Sequence, residues 1–184
     1  MFMGRYIATA ILAAVFLTST PALACGAKVE RQALTVELTC SPFQKPKHRL
    51  SYRDGALMTI DGRRYSGTDG TVPKFGVRSL RFDVNGAKFV VPRELLHTLF
   101  EPHVPPQHGN TLSVQRTKDL VLAQFSGGDG AGAYTAMWVL NTASGHLTRL
   151  MYEHPNPDKA KIVRTQLKPN PGVHTDAQSS AARR

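Results

Sequence analysis

The stretch "SLRFDVNGAKFVVP", Ser79 to Pro92, decides how this chain folds. Asn85-Gly86 is the strongest short-range hairpin signal, because a type I′ turn needs positive φ at both central residues and this pair tolerates it. A two-residue loop fixes the register. Val84 then faces Ala87, Phe82 faces Phe89 and Leu80 faces Val91, all apolar and all on one face. On the other face Asp83 meets Lys88, an opposite-charge pair. Turn chemistry, strand propensity and pairing agree, so the chain is expected to build sheets from hairpins.

Working outward, "ALMTIDGRRYSG" (Ala56 to Gly67) offers a second hairpin on Asp61-Gly62, with Ile60 opposite Arg63 and Met58 opposite Tyr65. Thr68 to Pro73 reads as a surface turn. After Pro92 the period changes. Leu95, Leu96, Leu99 and Phe100 fall on one face of a short helix, begun at Pro92 and stopped by Pro102, with its apolar face on the sheet. In the last third "DLVLAQF", "YTAMWVL" and "HLTRLMY" form a meander. The first two are apolar on both faces, as strands covered on one side by the helix and on the other by a second layer would be. At the other end Leu34, Val36, Leu38 and Cys40 alternate with Thr35, Glu37 and Thr39, the period of a half-buried strand. The fold class expected is therefore mainly β, α+β only through one short helix. The domain is antiparallel, sandwich-like or a curved sheet.

Residues 1–24 have the pattern of a secretory signal. Arg5 precedes an apolar run from Ile7 to Leu17, and Ala22-Leu23-Ala24 supplies the small residues of a cleavage site. The apolar run is too short for a helix of the ~20 residues needed to span a bilayer, and no other segment approaches that length. A soluble, periplasmic or secreted protein is expected. Cleavage after Ala24 leaves Cys25 first. A lipid anchor on Cys25 is the rival use, disfavoured because Leu23 stands one place late for a lipoprotein box and Cys40 would be left as a lone thiol. A Cys25–Cys40 disulfide uses both cysteines. Disulfide Cα atoms lie about 5.5 Å apart, so residues 25–40 must fold back, with a turn expected near Glu30 to Gln32. Residues 25–154 are then one β-rich domain. Residues 155–184 hold six basic and two acidic residues with four prolines and few large aliphatics, and read as a mostly disordered tail in which at most Ile162 to Leu167 docks as a strand.

The formal net charge is +10. The cations are scattered rather than clustered between aromatics, and an exported protein rarely meets nucleic acid, so no nucleic-acid partner is expected. An envelope protein or an anionic cell-wall polymer fits the charge better.

The chemical motifs are few. "FSGGDGAGAYTAMWVL" (Phe125 to Leu140) contains Gly128-x-Gly130-x-x-Ala133, a relaxed dinucleotide fingerprint, but a strand-like segment follows where that motif requires a helix. Only Asp129 offers a local calcium ligand; Asp69 would have to come from elsewhere. His97, His103 and His108 lack zinc-site spacing, and His97 falls on the solvated side of the expected helix. No cofactor and no metal are expected. Ser126 with Asp129 and a histidine, or a pair among the thirteen acids, would serve a periplasmic hydrolase, but no spacing selects partners and Gly-x-Ser-x-Gly is absent, so no catalytic residue is assigned and a non-catalytic role is favoured. The loop itself, Ser126, Gly127, Gly128, Asp129, Gly130 and Tyr134, is the candidate binding surface. It has more glycine than a turn needs, leaving bare backbone for a partner.

Ser126-Gly127 with Tyr134, and Ser66-Gly67 after Tyr65, resemble in part the "SGxxY" loop of periplasmic lysozyme inhibitors, small exported β-rich proteins; neither spacing matches that motif. The resemblance implies an inhibitor or immunity-type protein against a cell-wall hydrolase, with the loop entering the enzyme's cleft.

Overall fold

The computed structural model describes residues 25–153 and 156–171, without the side chains of 156–159 and 170–171. The signal segment and residues 172–184 lie outside the described residues. Twelve strands occur among the described residues: β1 (Gly26–Arg31), β2 (Leu34–Pro42), β3 (Leu50–Arg53), β4 (Ala56–Ile60), β5 (Phe75–Val84), β6 (Ala87–Val90), β7 (Ser113–Thr117), β8 (Leu120–Gly127), β9 (Tyr134–Asn141), β10 (His146–Glu153), β11 (Asn156–Gln166) and β12 (Asn170–Pro171). They form two five-stranded antiparallel sheets, ordered β1-β2-β5-β6-β12 and β11-β10-β9-β8-β7, and a separate β3–β4 hairpin.

The Asn85-Gly86 hairpin forms in the expected register, with Val84 opposite Ala87, Phe82 opposite Phe89 and Asp83 opposite Lys88. Both turn residues have positive φ, 52° and 83°. Val91 donates its N–H to Leu80 O at 3.0 Å, closing the third expected pair just beyond β6. The inward side chains of the two sheets meet in one core. Val36, Leu38, Leu80, Phe82 and Phe89 come from the first sheet; Phe125, Tyr134, Trp138, Leu140 and Leu147 come from the second. Full burial of side chains of this size is worth about 1.5–3 kcal/mol each, which makes this contact the main stabilising term. A smaller cluster of Leu57, Ile60 and Phe100 lies under the β3–β4 hairpin, with Phe43, Leu50, Tyr65 and Val72 packed on it.

Cys25 and Cys40 form the disulfide, Cα atoms 5.1 Å apart. The fold-back comes at Gln32-Ala33, with Ala33 at φ 53°, because Glu30 is still paired with Thr35. The β8–β9–β10 meander is present.

Four expectations are corrected. The helix over 92–100 is a single 3₁₀ turn at Arg93–Leu95. Nine residues cannot hold a helix alone, and here tertiary partners claim the backbone. Thr98 O accepts from Ser66 N–H, Leu99 O from Val77 N–H, and Phe100 N–H donates to Ser66 O. Leu96, Leu99 and Phe100 are buried as expected, without the helix. Second, no helix among the described residues covers the meander: its outward residues Leu122, Met137 and Val139 are half-buried, and Leu120 is exposed. Third, Asp61-Gly62 does turn the chain, Ile60 and Arg63 exchanging two backbone bonds of 3.0 Å. Yet β4 takes β3 as its partner through the unanticipated turn at Asp54-Gly55. Met58 and Tyr65 do not pair. Tyr65 instead packs edge-on against Phe100, 5.8 Å between centroids. Fourth, the sheet runs past residue 154. β11 pairs along β10 from Asn156 to Gln166, and Leu167 is buried. A run of alternating cations and aliphatics is sufficient for an edge strand, since only its inner face must be covered.

Among the described residues no helix is long and apolar enough to cross a membrane.

Candidate functional site

The glycine loop is built as a packed connection. β8 ends at Gly127, one 3₁₀ turn spans Gly130–Gly132, and β9 begins at Tyr134. Gly128 N–H donates to Glu101 O (2.8 Å), Gly67 N–H to Gly132 O (2.8 Å) and His103 N–H to Ser126 O (2.8 Å). A Cβ at Gly127 would lie 2.5 Å from Tyr134 Oη and 2.8 Å from Glu101 O; one at Gly128 would lie 2.7 Å from Gly67 Cα. The loop is therefore pressed against residues 66–69 and 100–103, and its glycines let backbone meet backbone. At Gly127, Gly128 and Gly132 the bare backbone faces other parts of the chain, while Asp129 and Gly130 at the tip stay exposed.

The loop's side chains divide accordingly. Tyr134 is 1% exposed and edge-on to Phe125, so it cannot meet a partner. Its hydroxyl has no hydrogen-bond partner among the described residues. Burial, reinforced by the nearby Glu101 charge, pushes its ionisation far above the usual tyrosine range. Ser126 faces outward, its Oγ 3.2 Å from Thr135 Oγ1. His103 Nε2 lies 2.9 Å from Gly128 O and donates to it. No serine–histidine–acid relay forms there. Asp129 and Gly130 are exposed. Asp69 does approach the loop, beside Gly130, but among the described residues no group of three potential metal ligands assembles.

A neighbouring cleft of about 290 Å³ holds a polar stitch. Ser66, 4% exposed, donates to Glu153 Oε1 at 2.9 Å, and Lys161 Nζ donates to the same oxygen at 2.8 Å. Burial alone would raise the Glu153 carboxyl; the bonds from Lys161 and Ser66 outweigh it and hold it below the ordinary glutamate value.

A second concavity lies elsewhere, a groove of about 810 Å³ that no sequence motif marked. Phe43, Gly76, Val77 and Phe100 line it together with the cations Lys47, Arg63, Arg78 and Arg93, the histidines His48 and His97, and the acids Asp61 and Glu94. Phe43 stacks on His48 (4.6 Å, 14°) and meets Phe100 edge-on (5.6 Å). Asp61 is committed: His48 Nδ1 lies 2.7 Å from one oxygen and Arg49 N–H donates to the other at 2.8 Å. These two bonds, the His48 contact first, hold its carboxyl below the usual aspartate range.

His97, expected to be solvated, is half-buried and organises the opposite wall. Arg63 Nη1 lies 2.5 Å from His97 Nε2, and His97 Nδ1 lies 3.2 Å from Arg93 O. Arginine can only donate, so Nε2 is the acceptor and Nδ1–H gives to the Arg93 carbonyl. One imidazole thus ties the Asp61-Gly62 turn to the 3₁₀ turn and brings Arg63 and Arg93 to the same rim. Arg149 supports that turn from below. It is 8% exposed, donates from Nη1 to Leu95 O (2.5 Å) and lies 5.8 Å over the Trp138 ring. The ion pairs among the described residues are Lys28–Glu30, His48–Asp61 and Lys161–Glu153, so Lys47, Arg63, Arg78 and Arg93 face the groove without a carboxylate partner. The spacings between residues 43, 63, 78 and 93 carry no motif, and only tertiary packing joins them.

Comparison with known protein families, with curated proteins and with solved structures finds no match to this chain.

Proposed function

We propose that this is an exported, non-catalytic binding protein whose groove holds an anionic group of an envelope partner, a cell-wall polymer or the acidic surface of an envelope protein. The observation that carries the reading is four cations lining one concavity with no carboxylate bound to them among the described residues. Cations on a walled surface that no carboxylate neutralises raise the local concentration of anions, and guanidinium groups offer them paired donors. The signal-like residues 1–24 and the Cys25–Cys40 bridge support export to an oxidising compartment. An inhibitor of a wall hydrolase would belong to the same class, but it would have to use residues other than the buried Tyr134.

The test separates a site from bulk charge. Binding of a fluorescent acidic polymer (polyglutamate or heparin) is measured by anisotropy at several salt concentrations. Arg63→Glu with Arg93→Glu is compared with Arg31→Glu plus Arg116→Glu, the same charge change at exposed positions away from the groove. Loss of binding in the groove pair alone supports the reading. Equal loss in both pairs reduces the protein to a diffuse polycation and refutes it.

A further inference from the structure

Within the groove the geometry points to one class of anion: we infer that the ligand is an organic phosphate ester, with its phosphoryl group held by Arg63, Arg78 and Arg93. This rests on the anionic-groove reading above and narrows it. The three arginines come from separate segments, the Asp61-Gly62 turn, strand β5 and the 3₁₀ turn at Arg93–Leu95. A carboxylate has two oxygens in one plane, which one guanidinium fork satisfies. Three forks lining one groove from separate segments suit a tetrahedral anion, whose oxygens point in different directions and accept several forks at once. The Arg63 guanidinium is held from behind by its bond to His97, and the same imidazole anchors the backbone of the turn that carries Arg93. The side-chain ordering that anion capture demands is thereby partly met before a ligand arrives.

The remainder of the groove requires more than free phosphate. Its volume of about 810 Å³ is the size of a small organic ligand's site, and its floor is Phe43, Gly76, Val77 and Phe100. The Phe100 ring lies directly against Gly76, where a Cβ would sit 3.2 Å from two ring carbons, so the aromatic floor packs flat on bare backbone. The ester's carbon skeleton lies on this floor, and Glu94 on the rim accepts from its hydroxyl groups. The phosphate ester could be borne by a wall polymer or by a lipid headgroup, and the probes are chosen to tell these apart.

Titration calorimetry of the oxidised protein uses four probes at about 150 mM salt, where the Debye length is about 8 Å. They are inorganic phosphate, glucose 1-phosphate, glucuronate, and phosphatidylglycerol vesicles against phosphatidylcholine vesicles. Glucose 1-phosphate is expected to bind at least about tenfold more tightly than either glucuronate or inorganic phosphate. Arg63→Gln with Arg93→Gln should abolish that preference, and circular dichroism should show the fold unchanged, since both side chains are exposed. Binding to phosphatidylglycerol vesicles but not to the sugar phosphate assigns the ester to a lipid headgroup. Equal affinity for glucose 1-phosphate and glucuronate, both lost in the groove variant, overturns the phosphate assignment and leaves the anionic groove standing. Failure of every probe, acidic polymers included, removes both.

Discussion

The packed glycine loop makes a sharp demand on substitution, clearest at Gly132→Ala. A methyl carbon there would sit 2.7 Å from Thr68 N and closer still to Thr68 O and C. Comfortable carbon contacts are about 3.5–4.0 Å, so one of two backbones has to retreat by about an ångström. The Gly67 N–H to Gly132 O bond of 2.8 Å lies in the same contact and stretches with it. Overpacking of this kind costs about 1–3 kcal/mol, and a weakened backbone bond adds about 1 kcal/mol. Alanine's smaller unfolded-state entropy returns about 0.4–1 kcal/mol. The net loss is about 2–3 kcal/mol, a fall in Tm of about 6–9 °C for a domain of this length.

Two controls separate sterics from conformation. At Gly109 nothing lies within 4 Å and φ is not left-handed, so alanine should raise stability by up to about 1 kcal/mol. At Gly86 space is open but φ is +83°, so alanine should cost about 1 kcal/mol from backbone strain alone. Thermal melts followed by circular dichroism, with urea midpoints alongside, read all three. A Gly132→Ala protein within about 1 °C of the parent, or matching Gly86→Ala, would refute the packed loop and restore an open one.

Removing the disulfide with Cys25→Ser and Cys40→Ser should cost about 3 kcal/mol, because a loop of 15 residues is released in the unfolded chain, and non-reducing against reducing melts of the parent should show the same gap. Glu153 has a folded pKa below its ordinary value of 4.5, so its contribution is present above that pH and is lost as pH falls through the lowered value. Glu153→Gln should therefore flatten the acid limb of the urea-midpoint profile below pH 4.5 and leave its shape near neutrality unchanged. Arg149 is buried without a carboxylate among the described residues, and its Nε has no partner there. An apolar residue of similar length avoids that desolvation, so Arg149→Met should fold within about 1 kcal/mol of the parent or above it. A loss beyond about 3 kcal/mol in denaturant titration would show that the bond to Leu95 O outweighs the burial of the charge.

What the amino-acid order determined by itself was local. Asn85-Gly86 admits one tight turn, and the alternation on either side leaves one register that puts Phe82 and Phe89 inside. Leu34 to Cys40 declared itself by the same period, the three segments of the meander by apolar runs between turns, and two cysteines with one export-like leader left one economical pairing. Wherever a segment's partner is distant, the sequence was silent or misleading. Leu95, Leu96, Leu99 and Phe100 have helical spacing, yet backbone groups of Ser66 and Val77 offered hydrogen bonds that a nine-residue helix could not match. The glycines of the 127–132 loop announced close approach, but only the fold revealed that Gly67, Thr68 and Glu101 are what approaches. The groove is the extreme case. Arg63, Arg78 and Arg93 each look like an ordinary surface cation, because a charge in water needs no particular neighbour along the chain. Their meeting in one groove is set by how the Asp61-Gly62 turn, strand β5 and the 3₁₀ turn at Arg93–Leu95 pack together, and not by any spacing of residues.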